Sequence, residues 1–412
     1  MSKWTQFKFQ LWLVKRQIKS GGRFLAVTST LAFIGMVIGV ACLVLSMGVV
    51  SGFETTLKKA VIDVTGHLMV MKSGGTIDDL GEIVPKIKKI LPDMVAYAPF
   101  FQTEALIAKN GKTSGVVVQG IDLDSAMQVL NLSGRIVQGS IQLGDQNGVS
   151  RAVLGKALAK KFGLRVGDIF QVVAPRPSKS SSYSFSPRSK KFLISGILDL
   201  GKYEYDLRFV MTSLQAARYI VGKDTGFSGI KIRLKSAEDA PLASQVLMTK
   251  LGYPYWSKDW VDMSRNLFEA IKLEKVVIFV VLLFMIITAC FNICSTLFVN
   301  VLKRYADISI LKAMGASPRF LMGIFSLQGF VIGFLGSFTG IVLGWILSVL
   351  LAHSSLFQVS AEIYKLDHLT VEMRFWDIMA IVSVSLIICL LSTLAPALRG
   401  ARMNIVDGLR YE

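Results

Sequence analysis

Residues 24–53 read FLAVTSTLAFIGMVIGVACLVLSMGVVSGF, without one charged side chain. A helix crossing the hydrocarbon core of a bilayer needs about 20 consecutive apolar residues, and this stretch exceeds that. Three more uncharged runs follow, at 276–302, 320–361 and 378–398. The tail of the third turns polar at His353, Ser354, Ser355, Gln358 and Ser360, so it reads as one long helix over 320–352 rather than two. Of the 412 residues 52% are apolar and only 18% charged, against about 25% charged in an ordinary soluble chain. The fold class expected is an α-helical membrane protein with four transmembrane helices and a large α+β periplasmic domain. A purely soluble enzyme is not expected.

Basic residues in short flanking segments set the expected orientation. Lys3, Lys8, Lys15, Arg16, Lys19 and Arg23 precede the first span with no acid among them. Lys303, Arg304, Lys312 and Arg319 face Asp307 alone in the 303–319 loop, and Arg399, Arg402 and Arg410 follow the last span. Both termini and that loop are therefore expected in the cytoplasm, with 54–275 and the acid-rich connection 353–377 outside. Within residues 1–23, Trp4, Phe7, Leu11, Val14 and Ile18 recur at spacings of three and four. They predict an amphipathic helix on membrane lipids. The net charge of +18 by itself leaves nucleic acid, an anionic membrane or an acidic partner open; beside four spans, nucleic acid is not expected.

The segment between the first two spans holds two strand–helix–strand patterns. One has strands at 67–71 and from Val95 around a helix near 77–91. The other has strands at 230–234 and 253–256 around a helix near 237–251, with Ser236 and Asp239 placed to cap it and Gly252 to end it. They predict a split, ferredoxin-like module over 54–123 and 223–265, with an inserted subdomain at 124–222. That insertion carries a helix near 155–162, a strand at 169–173, and a Pro- and Ser-rich arm over 174–191. Its prolines discourage edge pairing, and Tyr183 and Phe185 offer anchors to a partner. Asn110-Gly111 reads as a hairpin turn.

Enzymatic signatures are missing. Gly111-Lys112-Thr113 ends like a P-loop, but Leu106 stands where its first glycine belongs. His67, His353 and His368 are scattered, and all four cysteines (42, 290, 294, 389) lie within predicted spans. No catalytic, cofactor or metal site is expected, so energy must arrive from a partner. The loop 303–319 alternates charged and apolar residues at helical spacing, with Gly315 placed to stop a helix and Pro318 to restart one.

Taken together these pieces resemble the permeases of the bacterial lipoprotein-releasing ABC system, LolC and LolE. The matching residues are Ser51-Gly52-Phe53-Glu54, Leu154-Gly155-Lys156-Ala157-Leu158-Ala159, Leu164-Arg165-Val166-Gly167-Asp168, Asp259-Trp260, the run Asn266-Leu267-Phe268-Glu269-Ala270-Ile271-Lys272-Leu273-Glu274-Lys275, Phe291-Asn292-Ile293-Cys294-Ser295-Thr296-Leu297, the loop 306–318 and Leu409-Arg410-Tyr411-Glu412. The loop is shared with MacB-type and FtsX-like relatives. No fused ATPase domain is seen here, which argues against MacB itself. The resemblance implies a dimer of permeases, from this chain twice or with a LolE-like sister, bound to two LolD-like ATPase subunits that carry the ATP and Mg. It further implies release of triacylated lipoproteins from the inner membrane to a LolA-like periplasmic carrier. On that basis Arg304, Tyr305, Asp307, Leu311, Met314 and Gly315 couple to the ATPase. Pro175, Pro177, Tyr183, Phe185, Pro187 and Arg188 form a hook for the carrier. Met47, Val50, Phe53, Leu267, Phe268 and Ile271 are candidates to line an apolar lipoprotein cavity.

Two other readings stand beside this one. A MacB/FtsX-like permease would relay ATPase cycles to an efflux partner or a periplasmic hydrolase without moving lipoproteins. A membrane-anchored binding domain would have no ATPase at all. The glycines at 329, 333, 336, 340 and 344 let helix backbones approach closely and are assigned to packing, within the chain or across a dimer.

Overall fold

A computed structural model describes residues 12, 23–109, 111–146, 148–174, 188–201, 203–353 and 371–402. The expected amphipathic helix (apart from Trp12 and Arg23), the arm between 175 and 187, most of the 353–377 connection and residues 403–412 lie outside them. The described residues pack into two units, one of 23–54, 270–353 and 371–402, the other of 55–269.

Helix α1 (Arg23–Thr65) runs past the expected end of the first span at Phe53. The reason lies in its last turns. Charged Glu54, Lys58, Lys59 and Asp63 alternate with Leu57, Ala60, Val61 and Val64, which are all buried at spacings of three, one and three. An apolar helix thus continues as an amphipathic one.

In the sheet unit β1 (Leu68–Lys72), α2 (Leu80–Ile90) and β2 (Met94–Lys109) form the first expected strand–helix–strand pattern. The helix starts later than Ile77 because Ile77 bridges to Phe227 and Asp79 caps the helix, accepting from the Gly81 amide at 2.7 Å. Next come β3 (Lys112–Ile121), α3 (Leu123–Val129), β4 (Ile136–Gly139), β5 (Asp145–Gln146), β6 (Val149–Gly155), α4 (Lys156–Phe162), β7 (Ile169–Ala174), β8 (Arg188–Leu198), α5 (Tyr203–Arg208), β9 (Phe209–Ser213) and α6 (Leu214–Val221). The second pattern is β10 (Gly229–Leu234), α7 (Ala240–Leu251) and β11 (Tyr255–Asp259), followed by the short α8 (Trp260–Met263). The expected cap of α7 is not made. Asp239 sits in helical backbone without a cap bond, the Ser236 hydroxyl takes the Glu238 amide instead, and Pro241 occupies the first turn. Gly252 ends the helix at φ +62°.

The strand order β11-β1-β10-β2, with every neighbour antiparallel, is the ferredoxin-like arrangement. The insertion does not build a sheet of its own. β2 is 16 residues long; its first half pairs with β10 and its second half with β3, reaching Lys109 opposite Lys112; Asn110 of the expected turn lies outside the described residues. β3, β9, β6, β8 and β4 then extend one continuous sheet. Gly155, at the end of β6, lies so close to the Asp206 backbone that a Cβ there would sit 2.2 Å from its carbonyl oxygen. That contact gives the Leu154-Gly155 motif a packing reason.

The helical unit holds the first part of α1 with α9 (Arg265–Lys303, from Ala270 on), α10 (Tyr305–Ala313), α11 (Pro318–His353) and α12 (Phe375–Arg402). Among the described residues four helices, α1, α9, α11 and α12, are long and apolar enough to cross a membrane. The α11 glycines pack within the chain. Gly329 and Gly333 face Thr393 and Cys389 of α12, while Gly336, Gly340 and Gly344 face Met36, Val40 and Val44 of α1. A Cβ at Gly340 would lie 2.7 Å from that of Val40 and 2.9 Å from the Val37 carbonyl. Gly340→Leu should therefore overpack the α1–α11 contact and cost about 1–3 kcal/mol, read as a lower thermal midpoint of the detergent-purified chain.

Candidate functional site

Helix α10 is the first candidate. Ile308 and Ser309 are buried, and Ile308 packs with Val301 of α9, Leu321, Ile324 and Phe325 of α11 and Ala397 of α12. Its end is held by the amides of Gly315 and Ala316, which donate to the carbonyls of Lys312 and Leu311 at 2.9 Å each, with Gly315 at φ +91°. Arg304, Tyr305 and Leu311 are half-buried, and Arg304 lies 3.7 Å from Asp307. The opposite face exposes Ala306, Asp307, Ile310, Ala313 and Met314. Of the residues expected to couple, Asp307, Met314 and Gly315 are thus presented outward. Ile310 was not among them, although it lies four residues from both Ala306 and Met314, the spacing of one helix face.

The six cavity candidates divide between the two units. Met47 is buried in the core of the helical unit, Val50 and Phe53 are half-buried, and Ile271 is buried. In the sheet unit Phe268 stands edge-on to Trp260, ring centres 5.1 Å apart. Leu267 lines an apolar cavity with Leu57, Ala60, Val61 and Val64 of α1 and with Leu200, Gly201 and Tyr205. Only Leu267 of the six lines this cavity.

A polar cluster in the helical unit was not anticipated. The Ser51 hydroxyl of α1 donates to Asp377 Oδ2 of α12 at 3.0 Å. Lys275 Nζ of α9 donates to the same oxygen at 2.9 Å and to Ser51 Oγ at 3.1 Å. Beside it Arg374 Nη1 donates to Glu54 at 2.9 Å, and the Glu372 amide donates to the Gly48 carbonyl at 3.0 Å. Ser51, Glu54 and Lys275 belong to the quoted motifs. Arg374 and Asp377 could be read in the sequence only as charges of a connection.

Of the hook residues, Pro175, Pro177, Tyr183, Phe185 and Pro187 lie outside the described residues. Their flanks β7 and β8 form an antiparallel hairpin from Ile169 opposite Leu193 to Ala174 opposite Arg188. Arg188 stacks over the half-exposed Tyr219 ring at 4.5 Å and donates to its carbonyl at 2.9 Å; Lys190 lies 4.9 Å from the same ring.

The end of α1 meets a buried lysine of β10 in the sheet unit. Lys231 Nζ of β10 donates to the Val64 carbonyl at 2.9 Å and to Gln119 Oε1 at 3.0 Å. Nearby, Asp63 pairs with Arg135 at 2.8 Å.

Long apolar helices joined by a short seated helix, together with a split α/β sheet domain, define a permease subunit. The family profile described as MacB-like periplasmic core domain matches residues 29–249, and that described as FtsX-like permease C-terminal matches residues 279–405. The chain belongs to this family of MacB- and FtsX-like permeases. More particularly, it is a homologue of the LolC and LolE proteins. "Lipoprotein-releasing system transmembrane protein LolC" of Neisseria meningitidis serogroup B is 28% identical over 98% of this chain and 100% of its own length. LolE of Haemophilus influenzae is 24% identical over 94% of this chain and 95% of its own. The crystal structure of the periplasmic region of MacB from Actinobacillus actinomycetemcomitans aligns with 49% of this chain and 92% of its own at 11% identity, with a TM-score of 0.32.

Burial pushes the Lys231 ammonium down to about 7 from its ordinary value of 10.5. Between those values the unfolded chain binds the proton and the folded chain does not, so folded stability rises with pH across that window. Lys231→Met should flatten this rise, while leaving the Val64 carbonyl unpaired and lowering stability overall. Thermal midpoints of parent and variant between pH 7 and 10 give the comparison.

Proposed function

We propose that this chain is the permease subunit of an ATP-driven transporter that takes lipoproteins out of the inner membrane and passes them to a periplasmic carrier. The observation that carries this reading is the full-length homology to lipoprotein-releasing LolC, which takes in the long helices and the sheet domain alike. In this reading α1, α9, α11 and α12 span the membrane four times, both termini face the cytoplasm and the sheet domain is periplasmic. A second permease, either another copy or a LolE-like sister, and two ATPase subunits complete the assembly. ATP and Mg reside on the ATPase.

Physical chemistry fits this task. Burying an acyl chain is worth about 0.8 kcal/mol per methylene, so three chains cannot pass through water. They must move from one apolar surface to another. The exposed face of α10, with Ile310 and Met314 at its centre, receives the ATPase. The arm 175–187 on the β7–β8 hairpin engages the carrier, and the apolar residues around Leu267 lie where acyl chains are received.

Depletion of the chain should leave lipoproteins in the inner membrane, scored by fractionation. Normal sorting under depletion would instead favour a permease that relays ATPase cycles to another partner. On the cytoplasmic side, Ile310→Asp with Met314→Asp should weaken association with the ATPase roughly tenfold or more, as removal of a central apolar anchor does. Co-purification measures it, with correct membrane insertion as the control.

A further inference from the structure

Gly48, Ser51 and Glu54 lie three residues apart along one face of α1, and each is engaged by the segment that leads into α12. The Gly48 carbonyl takes the Glu372 amide, Ser51 bonds Asp377, and Glu54 pairs with Arg374. A side chain at Gly48 would meet Val371 at 2.9 Å, so the segment is seated against the helix backbone. Lys275 joins α9 to the same point through Asp377 Oδ2 and Ser51 Oγ. Ser51 is 0% exposed. Phe375 and Trp376, at the start of α12, are by contrast 67% and 79% exposed, as aromatic residues are at the level of a membrane–water boundary. The cluster therefore sits at the start of α12 and where charged residues resume along α1 and α9, at Glu54 and Lys275, and not in the uncharged middle of the spans.

Its chemistry is unlike that of the packing deeper in the unit. Residues such as Met36, Val40, Leu43, Ile286 and Ile293 hold the helices by apolar contact. Ion pairs and hydroxyl bonds hold less tightly than apolar packing of the same volume, but they fix one register. Once parted, they are satisfied by water instead of being left unpaired in hydrocarbon. Because one carboxylate oxygen accepts both the hydroxyl and the ammonium, withdrawing Asp377 breaks the α1 and α9 contacts together. Such an element has two states, made or broken.

We propose that Ser51, Lys275 and Asp377, flanked by Glu54–Arg374, form a latch that holds α1, α9 and the start of α12 together at rest and is released during each ATP-driven cycle. This rests on the permease reading for its fuel, but not on the identity of the cargo.

The test uses the Ser51→Cys chain, assembled with its ATPase in lipid vesicles and treated with a membrane-impermeant maleimide. The parent, with its four native cysteines, supplies the background. Labelling of position 51 should be slow without nucleotide and about tenfold faster during ATP turnover, since opening raises the minor open population. Equal labelling with and without ATP, whether slow or fast, overturns the latch. Gly52→Cys, next to Ser51, likewise buried and not itself a latch residue, is a second reporter with the same outcomes should Ser51→Cys fail to assemble. Lipoprotein release by the parent is assayed alongside. Failure of release with ATP-dependent labelling intact counts against the cargo and not the latch; release with ATP-independent labelling counts against the latch alone.

Discussion

The near contact of α11 with its two neighbours is the interaction on which the helical unit depends. In a lipid solvent no hydrophobic effect draws helices together, so association relies on dispersion at short range and on the few polar bonds available. Gly329 and Gly333 admit Thr393 and Cys389 of α12, and Gly336, Gly340 and Gly344 admit Met36, Val40 and Val44 of α1. α11 is thereby held on both sides along one stripe of small residues. The Cys389 thiol, 3.3 Å from the Gly329 carbonyl, adds a polar bond across the same contact.

The sheet unit obeys a different constraint, that of burying a pleated surface while every strand finds partners. Its ferredoxin-like order was legible because β1-α2-β2 and β10-α7-β11 each show the pattern of alternating strand, amphipathic helix and strand. That one sheet would carry the insertion as well was not. β2 passes from one part to the other within 16 residues, and its sequence gives no sign of where the partner strand changes from β10 to β3. The motif Leu164-Arg165-Val166-Gly167-Asp168 proves to be a turn. Asp168 accepts from the Arg165 amide at 2.9 Å, and the Gly167 amide donates to the Ile194 carbonyl at 2.8 Å. Its pattern reflects folding and not chemistry.

Local signals were read well where the chain itself decides, and poorly where distant segments do. The stop at Gly315 and the return of β2 into β3 after Lys109 depend on adjacent residues. The overrun of α1 to Thr65 depends on sheet residues that cover Leu57, Val61 and Val64, and the start of α7 depends on Pro241 more than on Ser236. Asp377 meets Ser51 across 326 residues of chain. Nothing in the acidic connection distinguishes Asp377 from Glu362, Asp367 or Glu372 until the helices are placed. The exposure of Ile310 was hidden for another reason: an apolar residue between charged ones reads equally as inward or outward until the buried face, Ile308 and Ser309, is known.

The seat of α10 bears on how force would enter the unit. A helix that only touched the next helix by a loop would rock under load and dissipate it. Here Ile308 is packed among Val301, Leu321, Ile324, Phe325 and Ala397, so one buried cluster contains residues of α9, α10, α11 and α12. Gly400 closes the same place, since a Cβ there would lie 3.1 Å from Val301 and 3.3 Å from Phe325. Close-packed interiors transmit displacement because they have no voids into which to yield. A push on the exposed face of α10 is therefore shared at once among three long helices, and the two bonds at Gly315 and Ala316 keep its far end from unwinding. In the permease reading, that shared seat is where force from an ATPase would reach the long helices together.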